Sequence, residues 1–250
     1  GPLASQTPEF LRTHPVTVNR IAETRVRAAA LPRPDVQDAL GYSLARARVR
    51  VLTSSTPEKA LAHFLGARDN PAEASKPGTG YGIALARMEL GQYAEARTLF
   101  RELLAANPGA IPFHTGLAGA ELALGNRQAA FAGYEKAMGL FPRNTPLTVR
   151  YAEALMAAGE PRKAHTILLD LLNNVPPTVE QVRLIALAAS AAGDTADAHY
   201  YMAELNLLRG DVIMAADQLR LALSIPGLDN VQKARFSARL AEIQEWLDRE

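Results

Sequence analysis

Apolar and polar residues recur along most of the chain with the three- and four-residue spacing of amphipathic helices. Hydrophobic residues make up 48% of the 250 positions, which is enough to bury a continuous core. The stretch from Asn230 to Arg249 shows the helical period clearly and predicts a single terminal helix. We therefore predict an all-α protein. The predicted inner stripe of the terminal helix consists of Val231, Ala234, Leu240, Ile243 and Leu247.

A repeat of 34 residues runs through the middle of the sequence. In each unit a glycine lies between two predicted helices, followed five residues later by an alanine and nine residues later by a large side chain. In the first three units a proline follows the glycine by 17 residues. The glycines are Gly91, Gly125, Gly159 and Gly193; the alanines are Ala96, Ala130, Ala164 and Ala198; the large side chains are Phe100, Tyr134, Leu168 and Met202; and the prolines are Pro108, Pro142 and Pro176.

Each of these residue types has a physical role in a pair of packed helices. Glycine ends the first helix because it adopts a positive φ at little cost, and alanine lets the second helix approach the first closely. The large side chain is then predicted to fill the gap between the two helices. Proline cannot continue the second helix and opens the next unit. The period and register resemble those of tetratricopeptide (TPR) repeats, which are helix pairs that stack into a solenoid. We therefore predict a TPR solenoid of antiparallel helix pairs.

The predicted repeats occupy residues 77–250 and divide at about 77–110, 111–144, 145–178 and 179 onward. Gly210 follows Gly193 by only 17 residues, so the helix over 194–208 is predicted to serve two successive units. The terminal helix is predicted to cap the stack, because the last repeat of a solenoid needs a polar outer face.

The residues before the repeats are predicted to fall into three parts. Residues 1–5 are typical of the remnant left by removal of an affinity tag, and residues 6–34 follow as a separate segment. Residues 35–76 are predicted to form divergent linker helices or a first repeat, with helices from Val36 to Leu52 and after the cap residue Thr56. The prolines and glycines between Asp69 and Thr79 predict a loop there.

Charge and composition make a nucleic-acid partner a poor expectation. The sequence has 27 Lys and Arg against 26 Asp and Glu, a net charge of +1, with no basic block and only 6% aromatic residues. Binding to nucleic acid requires clustered basic side chains or stacking platforms. No apolar run reaches the length of a membrane span, so we also expect no stable membrane insertion. Cysteine is absent, which excludes thiolate metal sites.

The sequence contains no local signature of catalysis. None of its five histidines lies four residues from another, so the H-E-x-x-H zinc motif is absent, and there is no phosphate loop, dinucleotide fingerprint or nucleophile elbow. We therefore expect no catalytic residue, no bound cofactor and no peptidase activity in this chain alone. His63, His114, His165 and His199 lie on predicted helices, where packing or surface roles are expected.

The segment around Thr13-His14-Pro15 does not fit the repeat. With Arg20 and Ile21 five residues further on, it resembles the end of the catalytic domain in a family of periplasmic H-E-x-x-H zinc endopeptidases, some of which continue into TPR repeats. The resemblance implies that residues 6–34 are the tail of such a domain. It also implies that His14 ligates zinc in the intact parent protein and that Arg20 anchors the segment. Alternatively, His14 without its catalytic domain is an exposed residue of a terminal tail.

A partner-binding groove is predicted on the concave side, which the first helix of each repeat should line. Its mixture of apolar, thioether and acidic groups favours a flexible apolar ligand over a clamp for a peptide carboxylate. Alternatively, the terminal helices curl round and fill the groove. The predicted lining consists of Tyr81, Leu85, Met88, Glu89, Leu122, Val149, Glu153, Met156, Arg183 and Leu187.

The resemblance implies a function in protein recognition. The expected role is that of a TPR domain of a periplasmic zinc metalloprotease, which recruits substrates or assembly-machinery partners for outer-membrane protein quality control. Its implied partners are the outer-membrane barrel assembly machinery, unfolded barrel proteins and the protease domain of the same protein, and zinc is the implied cofactor of that parent. A stand-alone TPR adaptor in envelope assembly or secretion is the alternative.

Overall fold

A computed structural model describes residues 18–29 and 39–248 of the chain. The chain divides into two compact units, Gly1–Ala39 and Leu40–Glu250. In the first unit, α1 (Val18–Ala29) is an exposed amphipathic helix over residues 21–29. The described residues of both units contain helices and turns and no strand, so the predicted all-α fold class is confirmed. None of these helices is long and apolar enough to cross a membrane.

The second unit is a succession of helices joined by short turns. The first helices of the repeats begin at Pro77, Ile111, Thr145 and Val179, at the predicted interval of 34 residues. The helices are α2 (Leu40–Thr53), α3 (Pro57–Arg68), α4 (Pro71–Ala74), α5 (Pro77–Glu89), α6 (Tyr93–Ala106), α7 (Ile111–Ala123), α8 (Arg127–Leu140), α9 (Thr145–Ala157), α10 (Pro161–Leu172), α11 (Val179–Ala192), α12 (Thr195–Leu208), α13 (Val212–Ser224) and α14 (Asn230–Leu247).

The repeat glycines end helices because they adopt the left-handed conformation. Gly91 has φ +71°, and the amide that follows it, at Gln92, donates to the carbonyl of Arg87 over 2.9 Å. This bond satisfies a carbonyl that the last turn of the helix leaves without an intrahelical donor. The same conformation recurs at Gly125, Gly159 and Gly193, and the 17-residue spacing after Gly193 continues to Gly210 and then to Gly227.

The repeat alanines and large side chains form the core of the regular part of the stack. Ala96, Ala130 and Ala164 are completely buried, as are Phe100 and Leu168. A β-carbon at Gly116 of α7 would lie only 2.3 Å from the Phe100 ring, so the ring of one repeat packs directly on the backbone of the next. The core is therefore continuous from helix pair to helix pair, as close packing requires.

The fourth unit departs from this register. Met202 is 37% exposed, whereas its neighbour Tyr201 is 5% exposed. The reason is that α12 packs against α11 on one side and α13 on the other, so it buries two faces instead of one. The prediction that the helix over 194–208 serves two units agrees with this position, and the prediction that Met202 fills the core was wrong.

The helices before the repeats pack differently from a regular pair. α2 makes only slight contact with α3 and packs directly along α5 instead. Glycines on α5 permit this approach: a β-carbon at Gly78 would collide with Ser43 on α2, and one at Gly82 would collide with Phe64 on α3. As a result, α2 lies against the first helix of the first full repeat.

Two sequence predictions in this region need correction. The helix predicted from Val36 to Leu52 is interrupted at Ala39, which is not helical, and α2 begins at Leu40; residues 36–38 lie outside the described residues. The loop predicted from Asp69 to Thr79 contains α4 and the start of α5, because Asn70 caps α4 and a proline occupies the first turn of each helix.

The terminal helix α14 exists as predicted, but its inner stripe was partly wrong. Val231 is 75% exposed and Ala234 is also exposed, whereas Phe236 is fully buried. Leu240 and Leu247 pack around the buried Ile243 as expected. The stripe is rotated towards Phe236 because α14 packs against α13 while its side chains also reach α12.

Candidate protein-binding cleft

A cleft of about 250 Å³ opens between the first helices of the early repeats. Most of its lining comes from α2, α5 and α7, and Phe100 of α6, Tyr134 of α8 and Arg150 of α9 complete it. The α7 side is formed by Pro112, Thr115, Gly116 and Gly119, so the two glycines leave part of that side without side chains. A β-carbon at Gly119 would meet nothing nearer than the methyl carbon of Met88 at 3.9 Å. The cleft is therefore deeper at Gly119, because this position has no side chain and none is required there to fill the core.

Four of the predicted groove residues come together in this cleft. Tyr81, Leu85, Met88 and Glu89 all line it from successive turns of α5. Tyr81 is nearly completely buried, Leu85 and Met88 are half-buried, and Glu89 is exposed at the end of the helix. The wall combines apolar and thioether surface with one carboxylate at its rim.

The other predicted groove residues lie outside the lining of the cleft. Leu122 and Met156 pack against the central core cluster. Val149 is half-buried on α9, and Leu187 is 49% exposed on α11. Glu153 accepts a hydrogen bond from Arg150 over 3.0 Å, and Arg183 donates to Glu180 over 3.0 Å. These residues thus serve the core or the solvated surface in the described structure.

Two arginines in the cleft were missed by the sequence analysis. Arg48 reaches it from α2 and Arg150 from α9. Counting from repeat starts overlooked Arg48 because α2 precedes the repeats and packs along α5 instead of forming a regular pair. The predicted lining contained Arg183 as its basic residue and did not include these two arginines.

Both arginines act on the same buried hydroxyl. Burial raises the pKa of Tyr81, and the guanidinium groups of Arg48 and Arg150 oppose that shift. Burial also raises the pKa of Tyr134 to about 12, again against the field of Arg150. The two tyrosines stay neutral near pH 7, so the arginines supply the positive charge of the cleft.

The residues singled out in the N-terminal segment cannot be located in this way. His14 lies outside the described residues, and the description of Arg20 is limited to its helical backbone in α1. The roles that the resemblance implies for both residues stay predictions.

A second polar site joins α14 to the end of the stack. Asp197 on α12 has a side chain that is only 5% exposed, and it pairs with Arg235 on α14. Gln232 also donates to Asp197, over 3.4 Å, and His165 of α10 lies 3.3 Å away on the other side. Although burial opposes its ionisation most strongly, the contacts with His165, Arg235 and Gln232 hold the pKa of Asp197 below its ordinary value.

The neighbouring arginine on α14 strengthens the same junction. Arg239 donates two hydrogen bonds to the carboxylate of Glu204 on α12, over 2.7 and 2.9 Å. Arg235 also lies 4.4 Å from the ring centre of Tyr200, which itself stacks on Phe236. Bidentate pairs of this kind fix geometry as well as adding stability. We call the set Asp197, Glu204, Arg235 and Arg239 the α12–α14 junction.

The two aspartates of a potential metal site beside this junction already have protein partners. Among the described residues, His165, Asp194 and Asp197 place one ligand atom each within 4.8 Å of one another. Gln232 donates to both aspartates and Arg235 pairs with Asp197, so the oxygens accept hydrogen bonds from α14. This cluster acts as a structural junction between helices.

A family model agrees with the repeats seen in the structure. A family model described as tetratricopeptide repeat matches residues 87–132 and 121–189, which extend from α5 to α11. These are TPR repeats. A solved structure that resembles the chain is that of a thermophilic TPR protein from Thermus thermophilus, at 22% identity and a TM-score of 0.45. The match covers 81% of this chain and 100% of that chain.

The chain is also similar to curated proteases. It is 29% identical over 248 residues to the beta-barrel assembly-enhancing protease of Escherichia coli (strain K12), and the match covers 98% of this chain and 50% of that protein. It is 26% identical over 247 residues to a putative beta-barrel assembly-enhancing protease of Vibrio cholerae, covering 98% of this chain and 51% of that protein. The chain thus spans about half the length of these relatives. It is a TPR protein-interaction region similar to one half of them.

Proposed function

We propose that this chain is the protein-recognition region of a periplasmic H-E-x-x-H zinc metalloprotease that acts in outer-membrane protein quality control. The observation that supports this most is the extent of the similarity, which covers 248 residues, whereas the repeat model matches only residues 87–189. The similarity therefore includes the N-terminal segment with Thr13-His14-Pro15, which lies outside the repeats.

In this proposal the chain recruits protein partners, and the rest of the parent protein cleaves the substrates. Its partners are the barrel assembly machinery, unfolded barrel proteins and the protease domain of the same protein. Zinc belongs to that protease domain, where it would activate the attacking water. His14 alone is one donor, and this sequence has no H-E-x-x-H motif to supply the others. The residues present thus do not complete a zinc site.

Site-specific crosslinking tests the recruiting role. Leu52 lines the cleft and is 69% exposed, so a photoreactive amino acid at this position should leave the core intact. The full chain would be exported to the periplasm of Escherichia coli and irradiated. We expect adducts with a barrel-assembly component or an immature barrel protein.

Val231 provides a matched control, since it is 75% exposed on α14 and lies outside the cleft. The proposal is supported if adducts form from position 52 and are absent from position 231. Equal adducts from both positions, or adducts only with unrelated envelope proteins, would overturn it.

The competing function is that of a stand-alone TPR adaptor. The reading frame that encodes the chain distinguishes the adaptor from the protease. The similarity covers only half of each protease relative, so the protease proposal requires a catalytic half encoded in the same reading frame. An H-E-x-x-H motif upstream of Phe10 would exclude the adaptor. A reading frame that begins near Phe10 would exclude the protease.

A further inference from the structure

Three potential metal ligands meet between α10 and the start of α12. His165 lies on α10, whereas Asp194 is the N-cap of α12 and Asp197 lies in its first turn. Each residue places one ligand atom within 4.8 Å of the ligand atoms of the other two. Residues three positions apart share one side of a helix, so the two carboxylates face the imidazole together.

The imidazole provides a nitrogen that no other described group uses. Nε2 of His165 is buried, and it has no hydrogen-bond partner among the described residues. Oδ2 of Asp197 lies 3.3 Å from this nitrogen, and the side chain of Asp197 is only 5% exposed. Buried polar atoms without a partner are rare in folded proteins, and a bound ion is one way to satisfy them. The unpaired nitrogen therefore points to an ion between the imidazole and the carboxylates.

The carboxylates are held in place mainly by their other oxygens. Oδ1 of Asp194 accepts a hydrogen bond of 3.0 Å from the amide of Asp197. Oδ1 of Asp197 accepts from Arg235 and, over 3.4 Å, from Gln232, which reaches Oδ2 of Asp194 only at 3.5 Å. Hydrogen bonds of this kind orient the ligating groups of metal sites. The bonds that form the junction thus also turn Oδ2 of Asp197 towards His165.

The spacing and the chemistry of the donors suit a transition-metal ion. Zinc binds nitrogen and oxygen at about 2.0–2.2 Å in tetrahedral sites, so two ligand atoms of one ion lie roughly 3.3–3.5 Å apart. Nε2 of His165 and Oδ2 of Asp197 already have this separation. Asp194 lies within 4.8 Å of both and needs only a small side-chain rotation to join them. A mixed nitrogen and oxygen set also favours such an ion over magnesium, which prefers six oxygen ligands.

A cavity beside the cluster gives an ion access from solvent. His165 and Asp194 both line this cavity, whose volume is about 500 Å³. Three protein ligands leave a fourth position for water. The two carboxylates outweigh the guanidinium of Arg235 together with the roughly half a positive charge at a helix N-terminus. Arg162 also lines the cavity, but it is exposed, so solvent screens its charge.

We propose that His165, Asp194 and Asp197 bind one divalent transition-metal ion, which ties α10 to the start of α12. This site goes beyond the recruiting function, and it is separate from the zinc of the protease domain, to which His14 would contribute. Because Asp197 also pairs with Arg235 of α14, the ion fastens three helices at one carboxylate. An ion that binds only the folded chain stabilises it by mass action.

Calorimetric titration of the metal-free full chain with zinc chloride tests this directly. We expect one zinc ion to bind per chain at micromolar concentration, also in the presence of a millimolar excess of magnesium. In nitrogen-15 spectra of the histidine rings, zinc should shift one Nε2 resonance, and that resonance should be missing from His165→Gln. Absence of zinc binding, or displacement of zinc by magnesium, would overturn the proposal.

Variants of the chain locate the ion. His165→Gln and Asp194→Asn should each weaken zinc binding at least tenfold. Asparagine caps a helix as well as aspartate does, so Asp194→Asn removes a ligand charge and keeps the start of α12. His199→Gln is the matched control, because His199 is a half-buried histidine of α12 that contacts Gln218 outside the cluster. His14→Gln is a second control, and both controls should bind zinc as the unsubstituted chain does.

Each outcome decides the proposal. Unchanged binding in His165→Gln or Asp194→Asn would overturn it, and so would an equal loss in His199→Gln or His14→Gln. Thermal unfolding gives an independent measurement. Zinc should raise the Tm of the unsubstituted chain and leave that of Asp194→Asn unchanged, whereas an equal rise in both would assign the ion to other ligands.

Discussion

The cleft on α5 and the α12–α14 junction use the same residue type in opposite ways. At the junction, Arg235 and Arg239 pair with carboxylates whose side chains are only 5% and 21% exposed. In the cleft, Arg48 has no carboxylate partner among the described residues, and Arg150 has only an exposed one. Charges that the protein itself neutralises hold helices together, and charges that it leaves unpaired are available to a ligand.

The difference follows from how each helix reaches its neighbour. α14 crosses the end of the stack, where α12 presents Asp197 and Glu204 towards it. α2 packs along α5, whose glycines allow a close approach, and this places Arg48 over a surface with little acidic character. The junction should therefore matter for stability and the cleft for binding.

Among these predictions, we expect the loss of Arg235 to have the largest effect on the free energy of unfolding. Arg235→Ala would leave Asp197 buried without its cation, and removal of one partner of a buried pair costs about 3 kcal/mol of unfolding free energy. Urea denaturation of the full chain measures this. Arg220→Ala is the control, because Arg220 forms an exposed pair with Asp217 on α13 and should change little. Equal effects of the two substitutions would contradict a structural role for the junction.

Acidification should act on the same carboxylate. The pKa of Asp197 is lowered from 3.8 in the folded chain, so its ionised form stabilises the fold fully above that value, and this contribution is lost as the pH falls through the lower folded pKa. Asp197→Asn should therefore lower the free energy of unfolding by about 2 kcal/mol near pH 7. The difference in stability between this variant and the unsubstituted chain should become smaller as the pH falls.

Urea denaturation midpoints of the variant and the unsubstituted chain, measured near pH 7 and at pH 3, test this expectation. Asp217→Asn, an exposed substitution, should have little effect at either pH. A gap for Asp197→Asn that stays constant down to pH 3 would show that the charge of Asp197 contributes nothing to the junction.

Filling the cleft should stabilise the chain slightly while removing its binding site. Gly119→Leu replaces a helical glycine and should add about 0.5–1 kcal/mol to the free energy of unfolding, because leucine has the higher helix propensity and its β-carbon would meet only the methyl carbon of Met88, at 3.9 Å. Thermal unfolding measures the change. Gly139→Leu, an exposed substitution near the end of α8, should show a similar gain while the cleft stays open. A destabilised Gly119→Leu would mean that the cleft is part of the packed core.

The smallest expected effect on stability is that of the cleft arginines. Arg48→Gln and Arg150→Gln should each change the unfolding free energy by less than about 0.5 kcal/mol, as is usual for exposed side chains. Urea denaturation under the conditions used for Arg235→Ala checks this. A loss comparable to that of Arg235→Ala would remove the contrast between the two sites.

The repeat itself was predictable from the sequence because each of its signals is local. A positive φ at Gly125 and the complete burial of Ala130 depend on neighbours within one helix pair. The helix starts at Ile111 and Thr145 follow from the same spacing. The predicted position of the large buried side chain was wrong at Met202. There α12 contacts two helices, so the pattern of a single buried face no longer applies.

The candidate site was predictable only in part. Tyr81, Leu85, Met88 and Glu89 lie on one helix, so their shared face could be read from helical periodicity. Arg48 joins them because of the way α2 packs, and no local pattern records that contact. The same holds for Phe236, whose burial depends on where α14 meets α12 and α13.

The sequence by itself determined an all-helical chain with a 34-residue period, since helix ends and close approaches are set by residues a few positions apart. Only the tertiary structure decided which arginines are paired and which remain available. That outcome depends on distances between helices far apart in the chain, because an electrostatic partner is defined by its position in space and not by its spacing in sequence.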